Sequence, residues 1–423
     1  MFLKSTRPSD AGTEDAWKKA MAESRIEDPK AFAAFMLGKT SRTFALNIQV
    51  LPAGLRWQVL LAYLFCRMAD TIEDDGELSE SAKIDLLEAF RGLFPPATGS
   101  DRLTTFRAAL PREWAHSDRW DRLLVYHCDW IFPQLSEFPA AAVSSISRCV
   151  DEMCQGMMDF TRRQAGTRNG EALIGTLEDL DRYCYYVAGT VGNLLCDLFT
   201  LHSPLIGAKR AKALRALSVS FGLGLQLTNI LKDVQEDRRR NVSYIPKSLL
   251  DAERLSVSAF LAAENEVSAS AGSPRASASN AAAARIMALL LEKAKSHLQD
   301  ALEYSCMLPR LEPRLRLFCL WPLFMAVENL ALMGENLNGF QGEGKLKITR
   351  KQVKDIVGST SLACWSNLWL RSMFRNSVAR LDAGLARTPA RTFPSHAPHS
   401  DSAAVSAPHS SGSAAGAVAG AAS

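Results

Sequence analysis

Long apolar runs are missing from this 423-residue chain, and with them the usual signature of a membrane span. Crossing a bilayer takes about 18 to 20 apolar residues in a row. The nearest candidate, Leu317 to Val327, contains Pro322 and stops at Glu328 and Asn329, which predicts a core helix and no transmembrane segment. The first twenty residues hold no apolar h-region, so no signal peptide is expected. CxxC pairs are absent as well. The nine cysteines are odd in number and irregularly spaced, which predicts reduced, mostly buried thiols in a cytoplasmic protein. Net charge is only +4, and Arg238, Arg239 and Arg240 sit beside acidic residues, so no nucleic-acid partner is expected. There is no P-loop, no GxGxxG, no HxxxH and no HExxH. Gly76 is not followed by the ligand ladder of a calcium loop.

Period-two alternation is equally scarce, and no Asn-Gly pair joins two alternating segments, which excludes a sheet-based fold. Apolar residues instead recur at spacings of three and four. Ala31 to Leu37, Trp57 to Met68, Leu123 to Phe132, Val143 to Phe160 and Leu180 to Leu201 read this way. So do Ala211 to Leu231, Ala282 to Leu302, Leu315 to Met333 and Val353 to Phe374. Several are apolar around most of their circumference, as in helices packed on all sides. The predicted fold is all-α, a single large helical bundle over residues 29–385. Residues 1–28 are expected to be loosely ordered, and 262–284, rich in Ala and Ser, to form a flexible loop. The Ala/Ser/Pro/Gly-rich tail 386–423 cannot build a core.

Against this background one charged motif occurs twice. Asp70-Thr-Ile-Glu73-Asp74 returns as Asp233-Val-Gln-Glu236-Asp237. On a helix, D-x-x-E-D puts three carboxylates on one face, where they repel unless cations compensate them. One such triple would read as a solvated helix end. Two copies, each closing a mostly apolar helix, point to a metal clamp. Upstream of the second copy, Asn229, Gln226 and Gly222 continue the same face as a polar stripe, which a buried helix must satisfy internally. Arg67, three residues before Asp70, is placed either to pair with it or to reach an anion. Asp75 falls off the shared face and is expected to be surface charge. Hard oxygen ligands suit Mg²⁺, which bridges readily to phosphate oxygens. Two acidic helices across an apolar cavity therefore suggest a magnesium-bound diphosphate with an apolar tail.

Four segments in order resemble the squalene/phytoene synthase family of isoprenoid-coupling enzymes over about Phe35 to Phe374. They are "SRTF" at Ser41, "CRMADTIEDD" at Cys66, "DRYCYYVAGTVG" at Asp181 and "QLTNILKDVQEDRRRNVSYIP" at Gln226. The resemblance implies the isoprenoid synthase fold, one helical domain around a central cavity, and Mg²⁺-dependent joining of two prenyl diphosphates. By the same resemblance Asp70, Asp74, Asp233 and Asp237 hold metal, supported by Glu73 and Glu236. Ser41, Arg42, Arg67, Lys232, Gln226 and Asn229 bind diphosphate. Tyr183 assists deprotonation toward the cyclopropyl intermediate, a task for which released pyrophosphate competes. Phe44 and Phe318 match aromatic positions that shield a carbocation, for which cation–π attraction supplies the reason.

"RLFCLWPLFMAVENLALM" at Arg316 and "KLKITRKQV" at Lys345 resemble the C-terminal segments of squalene-forming members. They imply NADPH, with Lys347 and Arg350 on its phosphate and Asn229 near its nicotinamide. Without the resemblance, the basic segment reads equally as a solvated turn. The expected reaction is coupling of two farnesyl diphosphates through presqualene diphosphate, then reduction to squalene. Phytoene, dehydrosqualene or presqualene diphosphate formation is the alternative, because "YCYYVAGTVG" is worded as in phytoene-forming members and Lys232 replaces the usual arginine. A lipid carrier or assembly factor without catalysis is the alternative from another class. Peripheral contact with a membrane, for product release, is left open.

Overall fold

A computed structural model describes residues 21, 26, 28–94, 100–165, 173–239, 242–262, 274–337 and 346–387. Most of the segment expected to be loose at the N-terminus, and the tail beyond 387, lie outside the described residues. Helices account for the architecture, and among the described residues no strand forms. Short helices α1 (Pro29–Thr40) and α2 (Arg42–Gln49) precede α3 (Ala53–Asp74), whose last turns carry the first acidic motif. The helices α4 (Glu80–Arg91), α5 (Ser100–Ala109), α6 (Trp120–Tyr126) and α7 (Ala140–Ala165) follow. Next, α8 (Leu177–Cys184) runs through a π turn at Tyr185–Gly189 into α9 (Thr190–His202). The second motif ends α10 (Ala208–Arg239). After α11 (Lys247–Ala252) and α12 (Val257–Ala262) come α13 (Pro274–Met307), α14 (Pro313–Glu335), α15 (Arg350–Ala363) and α16 (Asn367–Leu385).

Three of these elements differ from the periodicity reading. Leu123 to Phe132 is helical only to Tyr126 and then continues as 3₁₀ turns, with Pro133 inside the second. Val353 to Phe374 breaks at Cys364–Ser366, where Ser366 caps the next helix. The expected loop at 262–284 is helical from Pro274 onward. Its Ala-rich segment is a strong helix former, and Ala282, Ala283 and Ala284 bury against the bundle. Farther along α13 the two long helices lie close, and a Cβ at Gly224 on α10 would come within 2.9 Å of Leu298.

Helix α14 is long and apolar enough to span a membrane by composition, but 72% of its apolar window is buried inside the protein. It is the core helix expected around Pro322, and α3, α9, α10 and α13 join it around the centre. All nine cysteines are free and buried, as their spacing implied. Glycines set the closest approach. A Cβ at Gly192 would fall 2.0 Å from the Ser218 carbonyl oxygen, and one at Gly222 would fall 2.2 Å from that of Ala188. Only glycine allows α9 and the π turn to lie directly on α10.

Candidate active site

Between α3, α9, α10 and α14 lies a cavity of about 110 Å³, lined almost wholly by apolar atoms. Phe44, Tyr63, Phe199, Phe221, Tyr304 and Phe318 supply aromatic wall. Phe44 lies over Tyr63 with ring centroids 5.5 Å apart, and Phe318 meets Phe199 edge-on at 5.8 Å. The two aromatics expected to face a carbocation therefore line one chamber.

Two of the wall helices, α3 and α10, leave the cavity toward the charged residues within about a turn. On α3, Tyr63 and Cys66 line it and Arg67 and Asp70 follow; on α10, Gly222 and Leu225 line it and Gln226 and Asn229 follow. The ligand oxygens of Asp70, Glu73 and Asp74 lie within 4.8 Å of one another. Asp70 is buried and the other two are half-buried. Burial, with the charges of Asp74 and Asp70, pushes the Glu73 carboxyl up to about 8. Such a crowd of acids fits a divalent cation, whose charge would remove the repulsion. Asp233 and Asp237 are buried and Glu236 half-buried, and Lys232 reaches Asn229 Oδ1 at 3.0 Å and Asp233 at 3.4 Å.

The two motifs meet at a pair of tyrosines. Tyr183 and Tyr244 are both buried, their ring centroids 4.8 Å apart, and Phe160 packs on Tyr183 at 5.2 Å. Burial, the neighbouring phenol and the Glu73 carboxylate hold the Tyr183 phenol well above its ordinary pKa. The Tyr244 phenol is raised by burial and by Glu73 and Asp74 from one motif and Asp237 from the other. Tyr244 therefore sits between the two acidic helices. Sequence reasoning assigned it nothing, because it lies in the extended segment after α10, outside any periodic pattern. Gln226 gives a second sign of a ligand site. It is fully buried, yet neither its amide oxygen nor its nitrogen has a hydrogen-bond partner. An orphaned buried amide costs several kcal/mol at most and about 1 kcal/mol at least, unless a ligand completes it.

Arg67 resolves toward an ion pair. Its guanidinium donates to Asp70 Oδ2 at 2.8 Å and to Asp121 Oδ2 at 3.1 Å, and its Nε is unsatisfied. Burial disfavours its charge, but Asp70 and Asp121 more than offset this and raise its pKa. Asp75 corrects the surface-charge expectation. It is wholly buried, accepting from Arg122 Nε at 2.8 Å and from Arg119 at 3.4 Å. Arg119 also donates to Asp121 Oδ2 at 2.9 Å. A ladder Asp75–Arg119–Asp121–Arg67–Asp70 thus locks the end of α3 to α6. Its one local clue was the acid–base alternation in "SDRWDR".

Ser41 caps α2, accepting from Phe44 N at 3.1 Å. The Arg42 side chain lies outside the described residues. Lys347 and Arg350 are exposed at the start of α15, where Ile348 N donates to Asn329 Oδ1 at 3.1 Å.

The family model described as "Squalene/phytoene synthase" matches residues 37–352. The chain is 30% identical over 321 residues to a squalene synthase of Solanum lycopersicum, covering 75% of this chain and 67% of that protein. It is 30% identical over 336 residues to a squalene synthase of Schizosaccharomyces pombe, covering 79% and 66%. The matches thus span about two thirds of those relatives' own length. Among solved structures, TcSQS in complex with the ligand E5700 superposes with a TM-score of 0.63 at 24% identity, over 85% of this chain and 99% of that one. This last likeness bears on the fold alone.

Proposed function

Since the chain belongs to the squalene/phytoene synthase family, we propose that it condenses two farnesyl diphosphates head-to-head into presqualene diphosphate and reduces this to squalene with NADPH. The observation that carries the reading is that the two acidic motifs end α3 and α10, the same helices that wall the apolar chamber. The relatives named as squalene synthases support the product.

In this reading Asp70, Glu73 and Asp74 hold cations on one side, and Asp233, Glu236 and Asp237 on the other. Bound Mg²⁺ supplies Lewis-acid neutralisation of the leaving diphosphate. The chain's own groups do the rest. Gln226, Asn229 and Lys232 offer donors to diphosphate oxygens, with Ser41 and Arg42 at the start of α2. Lys232, a point charge, grips less directionally than arginine would. Arg67 contributes a fixed positive charge at the clamp. Phe44 and Phe318 present ring faces to the allylic cation, and the dry wall keeps water from quenching it.

Tyr183, with its phenol held protonated, is a hydrogen-bond donor rather than a free base at neutral pH. It orients the leaving diphosphate, whose oxygens take the proton lost in forming the cyclopropane. Lys347 and Arg350 receive the cofactor phosphate, and their exposure is compatible with that role. The chain works in the cytoplasm, with its hydrocarbon product passing to a membrane. The reading is tested by incubating purified protein with farnesyl diphosphate and Mg²⁺, with and without NADPH. Squalene formed only with NADPH supports it. Accumulation of presqualene diphosphate or dehydrosqualene, or turnover of geranylgeranyl diphosphate alone, would overturn it.

A further inference from the structure

Eight of the nine exposed large apolar side chains among the described residues gather at three turns of the bundle. Leu201 and Leu205 flank the turn between α9 and α10. Met307 and Leu311 lie at the turn between α13 and α14, with Leu311 78% exposed. Leu362, Trp365, Leu368 and Trp369 surround the turn between α15 and α16, with Leu368 80% exposed. Turns are normally polar, because their backbone groups must meet water. This concentration needs a cause.

The three turns form one face. Ser203 donates to Glu312 at 2.9 Å, tying the first turn to the second. Asn367 donates to the Cys306 carbonyl at 3.1 Å and accepts from Arg316, tying the third to the second. The face also adjoins the floor of the cavity. Phe199, Tyr304 and Phe318 line the chamber on α9, α13 and α14. Each lies about one to two turns from its helix end at this face. The second acidic motif lies at the opposite end of α10.

Charge identifies the occupant. Lys209, Arg210 and Lys212 are exposed in the opening turn of α10, where the helix dipole disfavours cations. Arg310 and Arg314 stand exposed at the second turn. Residues 356–381 include no acid at all. The acids nearby are engaged, Glu312 with Ser203 and Glu303 with Arg371. A symmetric contact between two copies would set this cationic face against itself. Leucines and tryptophans ringed by cations suit instead an anionic lipid surface, where tryptophan sits at headgroup level.

We propose that this face docks on the surface of an anionic phospholipid bilayer, with the apolar end of the cavity toward the lipid. Docking itself does not depend on the reaction; the delivery of a hydrocarbon product through this end rests on the function proposed above.

The test is cosedimentation of the full chain with phosphatidylcholine vesicles, with and without phosphatidylglycerol, across a salt series. The wild type is expected to bind the anionic vesicles and to release as salt rises. Leu368→Asp should lower partitioning about tenfold, and Lys209→Glu with Arg210→Glu about fivefold per residue. Turnover of farnesyl diphosphate in detergent is expected to be unchanged in both variants, which checks folding. Absence of wild-type binding overturns the proposal, as does binding indifferent to both variants. A dimer in sedimentation velocity that Leu368→Asp dissociates, with no vesicle binding, assigns the face to a second copy and overturns it too. Vesicle binding that persists where no turnover is found supports the face and counts only against the reaction.

Discussion

Replacing Asp121 with asparagine keeps the shape of the ladder behind the first motif and removes its central charge. Asp121 is 1% exposed and pairs with Arg67 at 3.1 Å and Arg119 at 2.9 Å. Stripping one partner from a buried ion pair costs about 3–5 kcal/mol when the other charge is stranded. Here neither arginine is wholly stranded, since Arg67 keeps Asp70 and the part-exposed Arg119 keeps Asp75. The expected loss therefore falls just below that range, about 2–3 kcal/mol. Urea unfolding of both proteins measures it. The pH dependence follows from the direction of the shift. Arg119 and Arg67 hold the Asp121 carboxyl below its ordinary value against the opposing effect of burial. Its contribution is thus complete above the unfolded carboxylate pKa of about 3.9 and lost as pH falls through the folded value. The gap between wild type and variant should be full at neutral pH and close below about pH 4. Arg67 would also lose its second anchor and settle on Asp70, lowering turnover of prenyl diphosphate about tenfold. Asp75→Asn, which leaves both Arg67 bonds intact, should destabilise similarly with a smaller effect on turnover. A loss of stability under about 0.5 kcal/mol, or equal turnover in the two variants, would refute the reasoning.

Gln226→Leu should leave the ligand-free protein as stable or more so, by about 1 kcal/mol, because it removes an orphaned amide. It should at the same time raise the KM for the diphosphate substrate; lower stability with an unchanged KM would count against the site. Tyr183→Phe keeps the ring contacts with Phe160 and Tyr244, so stability should move by about 1 kcal/mol or less while turnover falls about a hundredfold or more. Gly222→Ala would push a methyl to 2.2 Å from a backbone oxygen, and thermal unfolding should show a loss of about 2 kcal/mol or more. Glu73, with a pKa of about 8, carries a proton at neutral pH that cation binding must displace. Magnesium added to weakly buffered protein at pH 7 should therefore release protons, and Glu73→Gln should abolish that release.

The acidic clamp was legible in the sequence because its geometry is local. Spacing alone puts Asp70, Glu73 and Asp74 on one face, and the repeat at Asp233 marks the pair as more than a solvated end. The aromatic chamber was legible only through family likeness, since Phe44 and Phe318 look like any core residues. Asp75 was misjudged for a physical reason. Spacing assigns a face on its own helix, whereas Asp75 is the residue that ends α3, in extended backbone, and its partner Arg122 is 47 positions away. Burial by so distant a partner leaves no periodic trace. The 274–284 segment reads as a loop because Ser and Ala suit both loops and helices, and the burial of Ala282, Ala283 and Ala284 favours the helix. Tyr244 had no periodic frame to reveal it. Its place shows only once Tyr183 stacks on it.

The central claim is that two separate acidic helices form one clamp for a magnesium-bound diphosphate. Calorimetric binding of inorganic pyrophosphate with Mg²⁺ to wild type, Asp70→Asn, Asp233→Asn and the double variant tests it most directly. Each single substitution is expected to weaken binding about tenfold or more, and the double to add little beyond either, as for residues sharing one ligand. Binding that survives both substitutions, or losses that simply add as from two independent sites, would contradict it.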